Sequence, residues 1–228
     1  MLSLYLLRHG ETEFSRQHRF CGQIDARLTA DGGRMAAAFA DTYGQLPWRE
    51  IVTSSRVRTL ETALPLAART GLPITPDRRL DEISFGRWHG LSKDEAAATD
   101  PEHYARWLCD PAIGPPGGET PAAVAARALA ALGELEERHD GGPILVVTHK
   151  TVLRVLLCHF AGADLGRYRE LWSCPVGSLS VIDLGARGAS VRLVDDVSHL
   201  PDSLRSDTVP PEGLPPLLVG DEAAAAAV

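Results

Sequence analysis

The chain has 228 residues, 44 % hydrophobic and 23 % charged, which is enough apolar material for a buried core and excludes a disordered or fibrous protein. Its formal charge of −7, from 23 basic and 30 acidic residues, argues against a nucleic-acid-binding surface, so a local basic cluster would stand out. The apolar run from Leu2 to Leu7 is broken by Arg8 and His9 and is too short for a signal segment or a membrane span, so a cytoplasmic protein without a membrane partner is expected.

Taken in order, Leu2 to Leu7 has no helical period and ends at Arg8-His9-Gly10, which predicts a buried parallel strand followed by a loop. Thr29 to Leu46 is alanine-rich and favours a helix. Ile51 to Thr53 predicts a second strand, followed by a helix capped by Ser54 or Ser55, running to about Thr70 and ended by Gly71. Ser92 with Glu95 forms a capping box for another helix. Thr120 as N-cap and Pro121 at the first helical position open a helix reaching His139. Pro143 to His149 is the clearest strand, and an apolar-periodic helix follows at once. Ser178 to Leu184 and Ser190 to Val194 alternate around Gly185 to Gly188 as a hairpin. This alternation predicts an α/β fold, a mainly parallel central sheet with helices on both faces in three layers, and a small helical insertion near residues 90–120. Residues 1–200 form the expected domain. After about Pro201 the chain turns proline-rich and ends in an alanine run, which predicts a flexible tail, with an arm docked on a partner subunit as the alternative.

Cys21, Cys109, Cys158 and Cys174 show no CxxC spacing, so they are expected as free thiols, with no metal site and no cofactor. In open α/β sheets ligands bind beyond the carboxyl ends of the strands. Three such ends carry basic residues here: Arg8 with His9, Arg56 with Arg58, and His149 with Lys150. Singly, each has a bland reading as a hydrogen-bonded strand-end histidine or a solvated helical arginine. Together, two arginines and two histidines suit a phosphate, whose oxygens guanidinium groups grip in pairs. The same cations disfavour imidazolium and so keep His9 neutral and nucleophilic.

Six segments then carry a family resemblance. RHGET at 8–12, RFCGQIDARLTADG at 19–32, SSRVRTLETA at 54–63, LDEISFGRWHGLS at 80–92, PPGGET at 115–120 and VVTHK at 146–150 occur in order over about Leu2 to Leu184. The chain resembles the histidine phosphatase superfamily, in its phosphoglycerate-mutase-like branch. The resemblance implies that fold, a catalytic pair of His9, which becomes phosphohistidine, and Glu82, which protonates the leaving oxygen, and a phosphate pocket of Arg8, Arg58 and His149. Without the motif, Glu82 and Asp81 are indistinguishable. Three departures bear on the substrate side. Ser15 stands where many relatives have a phosphate-contacting asparagine, and Lys150 and Thr151 stand where glycine or asparagine is usual. Cys21 and Gly22 match substrate-side positions, although a simple tight turn explains them equally.

The segment EISFGRWHG is similar to the phosphatase form, and the insertion from Gly90 to Pro116 is short, so water rather than a second hydroxyl is the expected acceptor. A metal-independent phosphomonoesterase acting on a small phosphorylated metabolite is therefore the reading. Its rivals are a cofactor-dependent phosphoglycerate mutase or another phosphoryl-transfer isomerase, and an inactive phosphate-binding protein, against which the intact His9, Glu82 and His149 argue. The natural substrate and the oligomeric state, a homodimer included, stay open at this stage. Lys150 either reaches solvent or an acid, or meets a second anionic group on the substrate.

Overall fold

A computed structural model describes residues 1–205 of the chain. In chain order the elements are β1 (Leu2–Arg8), α1 (Glu13–Arg16), α2 (Ala30–Tyr43), β2 (Glu50–Thr53), α3 (Val57–Thr70), β3 (Ile74–Pro76) and α4 (Lys93–Thr99). Then follow α5 (Pro101–Cys109), α6 (Pro121–Arg138), β4 (Gly142–Thr148), α7 (Lys150–Phe160), α8 (Tyr168–Leu171), β5 (Leu179–Gly185) and β6 (Gly188–Asp196). The strands form one sheet in the order β3-β2-β4-β1-β5-β6. β3, β2, β4 and β1 run parallel, and β5 returns antiparallel to β1 and pairs with β6 as the expected hairpin.

The pleat explains why helices cover both faces. Leu2, Leu4 and Leu6 of β1, with Ile144 and Val146 of β4, face one buried cluster that also holds Val124, Ala128 and Leu132 of α6 and Val152, Leu153, Val155 and Leu156 of α7. Leu7 of β1, with Leu145 and Val147 of β4, faces a second cluster against Phe39 of α2 and Ala63 and Leu66 of α3. Strands buried on both faces read as continuous apolar runs, which is why β1 and β4 were legible.

Four details differ from expectation. β3 has only three residues, bears one half-buried apolar side chain, and carries no periodic signal. The helix foreseen from Thr29 to Leu46 stops at Tyr43. α3 begins at Val57 with Arg56 in the capping position and no side-chain cap. Ser54 Oγ accepts from Arg56 N–H ahead of the helix and from His149, and Ser55 Oγ donates to Asp81, so neither caps the helical amides themselves. Finally, the chain stays packed past Pro201: Leu200 and Leu204 join Met35 and Val176 in a third small cluster. The rest of the expected tail, 206–228, lies outside the described residues. Among those described, no helix is long and apolar enough to cross a membrane.

The expected insertion contains α4, with the Ser92–Glu95 capping box in place, and α5, capped by Asp100. Phe20, Phe85, Trp88, Tyr104 and Trp107 pack ring against ring beneath it, with centroids 4.6–6.1 Å apart, and fasten it to the sheet.

Candidate active site

β1 and β4 are neighbours in register, Arg8 opposite Thr148, so the residues after each strand emerge side by side. His9 N–H donates to the Thr148 carbonyl at 3.1 Å, and the His9 and His149 rings meet edge to face with centroids 5.2 Å apart. His9 Nδ1 lies 2.8 Å from the Gly10 carbonyl. A carbonyl only accepts, so Nδ1 carries the proton and Nε2 keeps its lone pair. Burial, reinforced by Arg58 and Arg8, holds the His9 pKa well below its ordinary value, so the imidazole is neutral. Gly10 is required by a close approach: a Cβ there would lie 2.5 Å from the Gly32 carbonyl oxygen, while Gly10 N–H donates to Thr62 Oγ1 at 3.0 Å.

Arg8 is half-buried, and desolvation depresses its pKa to about 10. Nη1 donates to the Cys174 carbonyl at 2.6 Å, and Nε is buried without a partner among the described residues. Cys174 and Ser173 are held in turn by Asp195 Oδ2, which accepts from both backbone amides and from Ser173 Oγ, all at 2.9 Å. Cys174 (φ 44°) and Asp195 (φ 53°) both adopt left-handed backbone, a conformation costly enough to need this support.

Arg58, also buried, donates from Nη2 to Gly22 O at 2.6 Å and from Nη1 to Ile24 O at 2.8 Å. Its Nε–H donates to His149 Nδ1 at 3.2 Å, which places the His149 proton on Nε2, donated to Ser54 Oγ at 2.6 Å. The structure thus brings His149 against His9 and Arg58, but both its nitrogens are engaged and it does not line the cleft. Gly22 lies at φ 49° with its carbonyl on Arg58, a turn that aims the guanidinium, and it also lines the cleft.

Tertiary packing separates the two adjacent acids. Asp81 is buried against Arg56, with Nε at 2.9 Å and Nη2 at 2.5 Å, and against the Ser55 amide and hydroxyl, so it belongs to the scaffold. Glu82 faces the cleft, accepting from its neighbour Ile83 N–H at 2.9 Å and from Thr151 N–H, at the α7 N-terminus, at 3.4 Å. PPGGET holds this loop. Glu119 accepts from Ser84 N–H and from Arg127, and Arg127 also donates to the carbonyls of Arg79 and Glu82.

These groups border a cleft of about 900 Å³. Ser15 and Cys21 lie on its wall, but the Ser15 hydroxyl bonds back to Thr12 in a capping box and the Cys21 thiol donates to Ile24 O. Burial raises the Cys21 pKa. Lys150 and Thr151 are on the wall too. Among the described residues Lys150 pairs with no acid, and burial, with Arg154, Arg8 and Lys93 nearby, lowers its pKa to about 7. Arg154, Arg169 and Lys93 complete that side of the cleft and were not foreseen. The one local signal was Arg154 itself, a charge within the apolar stretch TVLRVLLCHF, one helical turn after Lys150. Among the described residues no group of His, Cys, Asp or Glu is arranged to hold a metal ion.

The family model of the histidine phosphatase superfamily (branch 1) matches residues 4–197. A bifunctional protein of Mycobacterium tuberculosis is 38 % identical over 202 residues, 86 % of this chain and 54 % of that protein. The chain therefore spans about half the length of the first curated relatives it matches. Phosphoserine phosphatase 1 of Hydrogenobacter thermophilus is 31 % identical over 203 residues, covering 88 % of this chain and 95 % of that one. Among solved structures, Bacillus stearothermophilus YhfR superposes with a TM-score of 0.80 at 33 % identity, covering 87 % of this chain and 99 % of its own.

Proposed function

The chain belongs to the histidine phosphatase superfamily, branch 1, and on that premise we propose that it hydrolyses small phosphate monoesters through a phosphohistidine formed on His9. The observation that carries the reading is the state of His9: neutral, with Nδ1–H fixed on Gly10 and the Nε2 lone pair open to the cleft beside Arg8 and Glu82.

In the first step His9 Nε2 bonds to phosphorus, the ester P–O bond breaks, and a protonated Glu82 gives its proton to the departing alkoxide. In the second, Glu82 takes a proton from water, the water oxygen bonds to phosphorus, and the N–P bond breaks to release phosphate. Arg8 and Arg58 offset the charge on the equatorial oxygens from fixed positions, in the role a metal ion fills elsewhere. His149 acts by holding Arg58 and backing the His9 ring. The likeness to a named phosphoserine phosphatase supports water as the acceptor, and four free cysteines agree with a cytoplasmic setting.

The test is hydrolysis of 4-nitrophenyl phosphate in the presence of a strong chelator, with His9→Ala as blank and acid quenching to trap labile phosphohistidine. Glu82→Gln is expected to slow poor leaving groups by roughly 10²- to 10⁴-fold and the nitrophenol much less. Activity lost to chelator and restored by Mg²⁺, or an equal loss on good and poor leaving groups, refutes the assignment. Transfer to an added alcohol in preference to water would favour the mutase.

A further inference from the structure

Beyond the phosphate pocket, the cleft has a second basic wall. Lys150 and Arg154 lie one turn apart on α7, Arg169 comes from α8 and Lys93 from α4. Two other arginines that line the cleft, Arg16 and Arg19, are paired with Glu11 and Glu95. Lys150, Arg154 and Arg169 form no ion pair with any described carboxylate, although the protein as a whole is acidic. Two of the three are rigidly held by neutral partners. Arg154 Nε donates to Trp172 O at 2.7 Å. Arg169 Nη1 donates to Trp107 O at 2.9 Å, and its guanidinium lies 3.9 Å over the Trp107 ring and 4.7 Å over Tyr168. Arg169 Nη2 is buried with no partner among the described residues. A side chain fixed this way loses little freedom when it binds, and a cation held out of water without a counter-charge gains one from an anion that arrives.

We propose that Lys150, Arg154 and Arg169 form a second anion subsite, so that the substrates of this enzyme are phosphate monoesters bearing a further carboxylate or phosphate group. The inference rests on the phosphatase reading above, since it needs the scissile phosphate at Arg8, Arg58 and His9. A phosphate dianion there matches the two arginines and leaves Lys150, Arg154 and Arg169 without a described counter-charge. Lys150 adds a proton linkage. It is faced by Arg154 on its own helix, Arg8 on β1, Lys93 on α4 and the Cys174 thiol, and with its pKa lowered to about 7 it binds a proton when the second anion docks.

The experiment uses the full chain and paired monoesters of primary alcohols. One pair is 3-(phosphonooxy)propanoate against its methyl ester, and the other is propane-1,3-diol bisphosphate against the monophosphate. Both are repeated with six-carbon spacers, and 4-nitrophenyl phosphate with the His9→Ala blank reports the phosphatase chemistry separately. In at least one pair the doubly anionic member is expected to have kcat/KM higher by about tenfold or more, the scale of one charge-assisted hydrogen bond. The pair that shows it tells carboxylate from phosphate. Lys150→Met and Arg169→Met lower that ratio toward one, while Arg154, buried and tied to Trp172, is left intact so that the variants fold. KM for the preferred substrate rises between about pH 7 and 9 in the wild type as Lys150 loses its proton, and this rise disappears in Lys150→Met. Ratios within about twofold of one in every pair overturn the subsite. So do variants that slow both members of a pair by the same factor. No His9-dependent hydrolysis of 4-nitrophenyl phosphate would instead refute the phosphatase reading, and the subsite with it.

Discussion

Arg56 and Arg58 stand two residues apart at the start of α3, yet Arg56 holds Asp81 while Arg58 borders the cleft. Arg56→Ala removes the two guanidinium contacts of 2.9 and 2.5 Å from Asp81, whose side chain is only 6 % exposed. Breaking a buried ion pair by deleting one partner costs about 3–5 kcal/mol, because a carboxylate is left without its counter-charge. Arg56 is itself 21 % exposed and Ser55 still gives Asp81 an amide and a hydroxyl, so the cost here is lower, about 2–3 kcal/mol. For a domain of this size that corresponds to a fall in Tm of roughly 4–12 °C. Catalysis, by contrast, should change little at a temperature where the variant is folded, since Arg56 does not line the cleft. Arg58→Ala should lower kcat/KM for 4-nitrophenyl phosphate by about 3–4 kcal/mol, the scale of an electrostatic donor to the transition state. The assay is urea unfolding of both variants beside single-turnover kinetics, with Asp81→Asn combined with Arg56→Ala as the control that removes the orphaned charge. If the double variant is no more stable than Arg56→Ala, or if Arg56→Ala proves the catalytically silent and fully stable one, the buried-pair account fails. If Arg56→Ala costs more turnover than Arg58→Ala, the assignment of the phosphate ligand is wrong.

Asp195→Asn keeps a residue tolerant of left-handed backbone but weakens the three donors gathered from Ser173 and Cys174, loosening the carbonyl that aims Arg8. Loss of kcat/KM by about tenfold with little change in urea stability is expected, and unchanged kinetics would show that Arg8 needs no such support. Gly10→Ala pushes a methyl group to 2.5 Å from a backbone oxygen and should shift the nucleophile, so turnover falls by more than about a hundredfold; a near-normal rate would mean the loop relaxes. His9, His149 and His199 all have folded-state pKa values held below the unfolded one, burial being the first cause of each. The unfolded chain then binds more protons as pH drops, so the stability contributed by their neutrality is complete above about pH 7 and is lost as pH falls below about 6.5. Urea midpoints measured from pH 7.5 to 5 should decline, more gently for His199→Phe, and a flat profile would contradict the neutral assignments.

Local sequence determined five of the six strands and several helix ends. A run buried on both faces, a Thr-Pro start or a glycine past a last turn each acts within a few residues, so β1, β4, the α6 cap at Thr120 and the stop at Gly71 could be read directly. The ordered motifs likewise pointed to His9, Arg58 and Glu82, because a reactive side chain must follow its strand end or helix start at a set distance. Only tertiary structure decided what those residues do to one another. Asp81 and Glu82 differ by which way the loop turns them, one toward Arg56 and one toward the cleft, and that follows from Glu119 and Arg127 more than thirty residues away. Ser54 resembled a helix cap until His149, 95 positions on, claimed its hydroxyl. Lys150 resembled a solvated lysine, and Arg169 had no signal at all, because burial beside other cations arises from pairing α7 with α8 and from the insertion that borders the same cleft. Contacts of that separation depend on how the whole sheet stacks its helices, and neither hydrophobic period nor spacing within one segment encodes them.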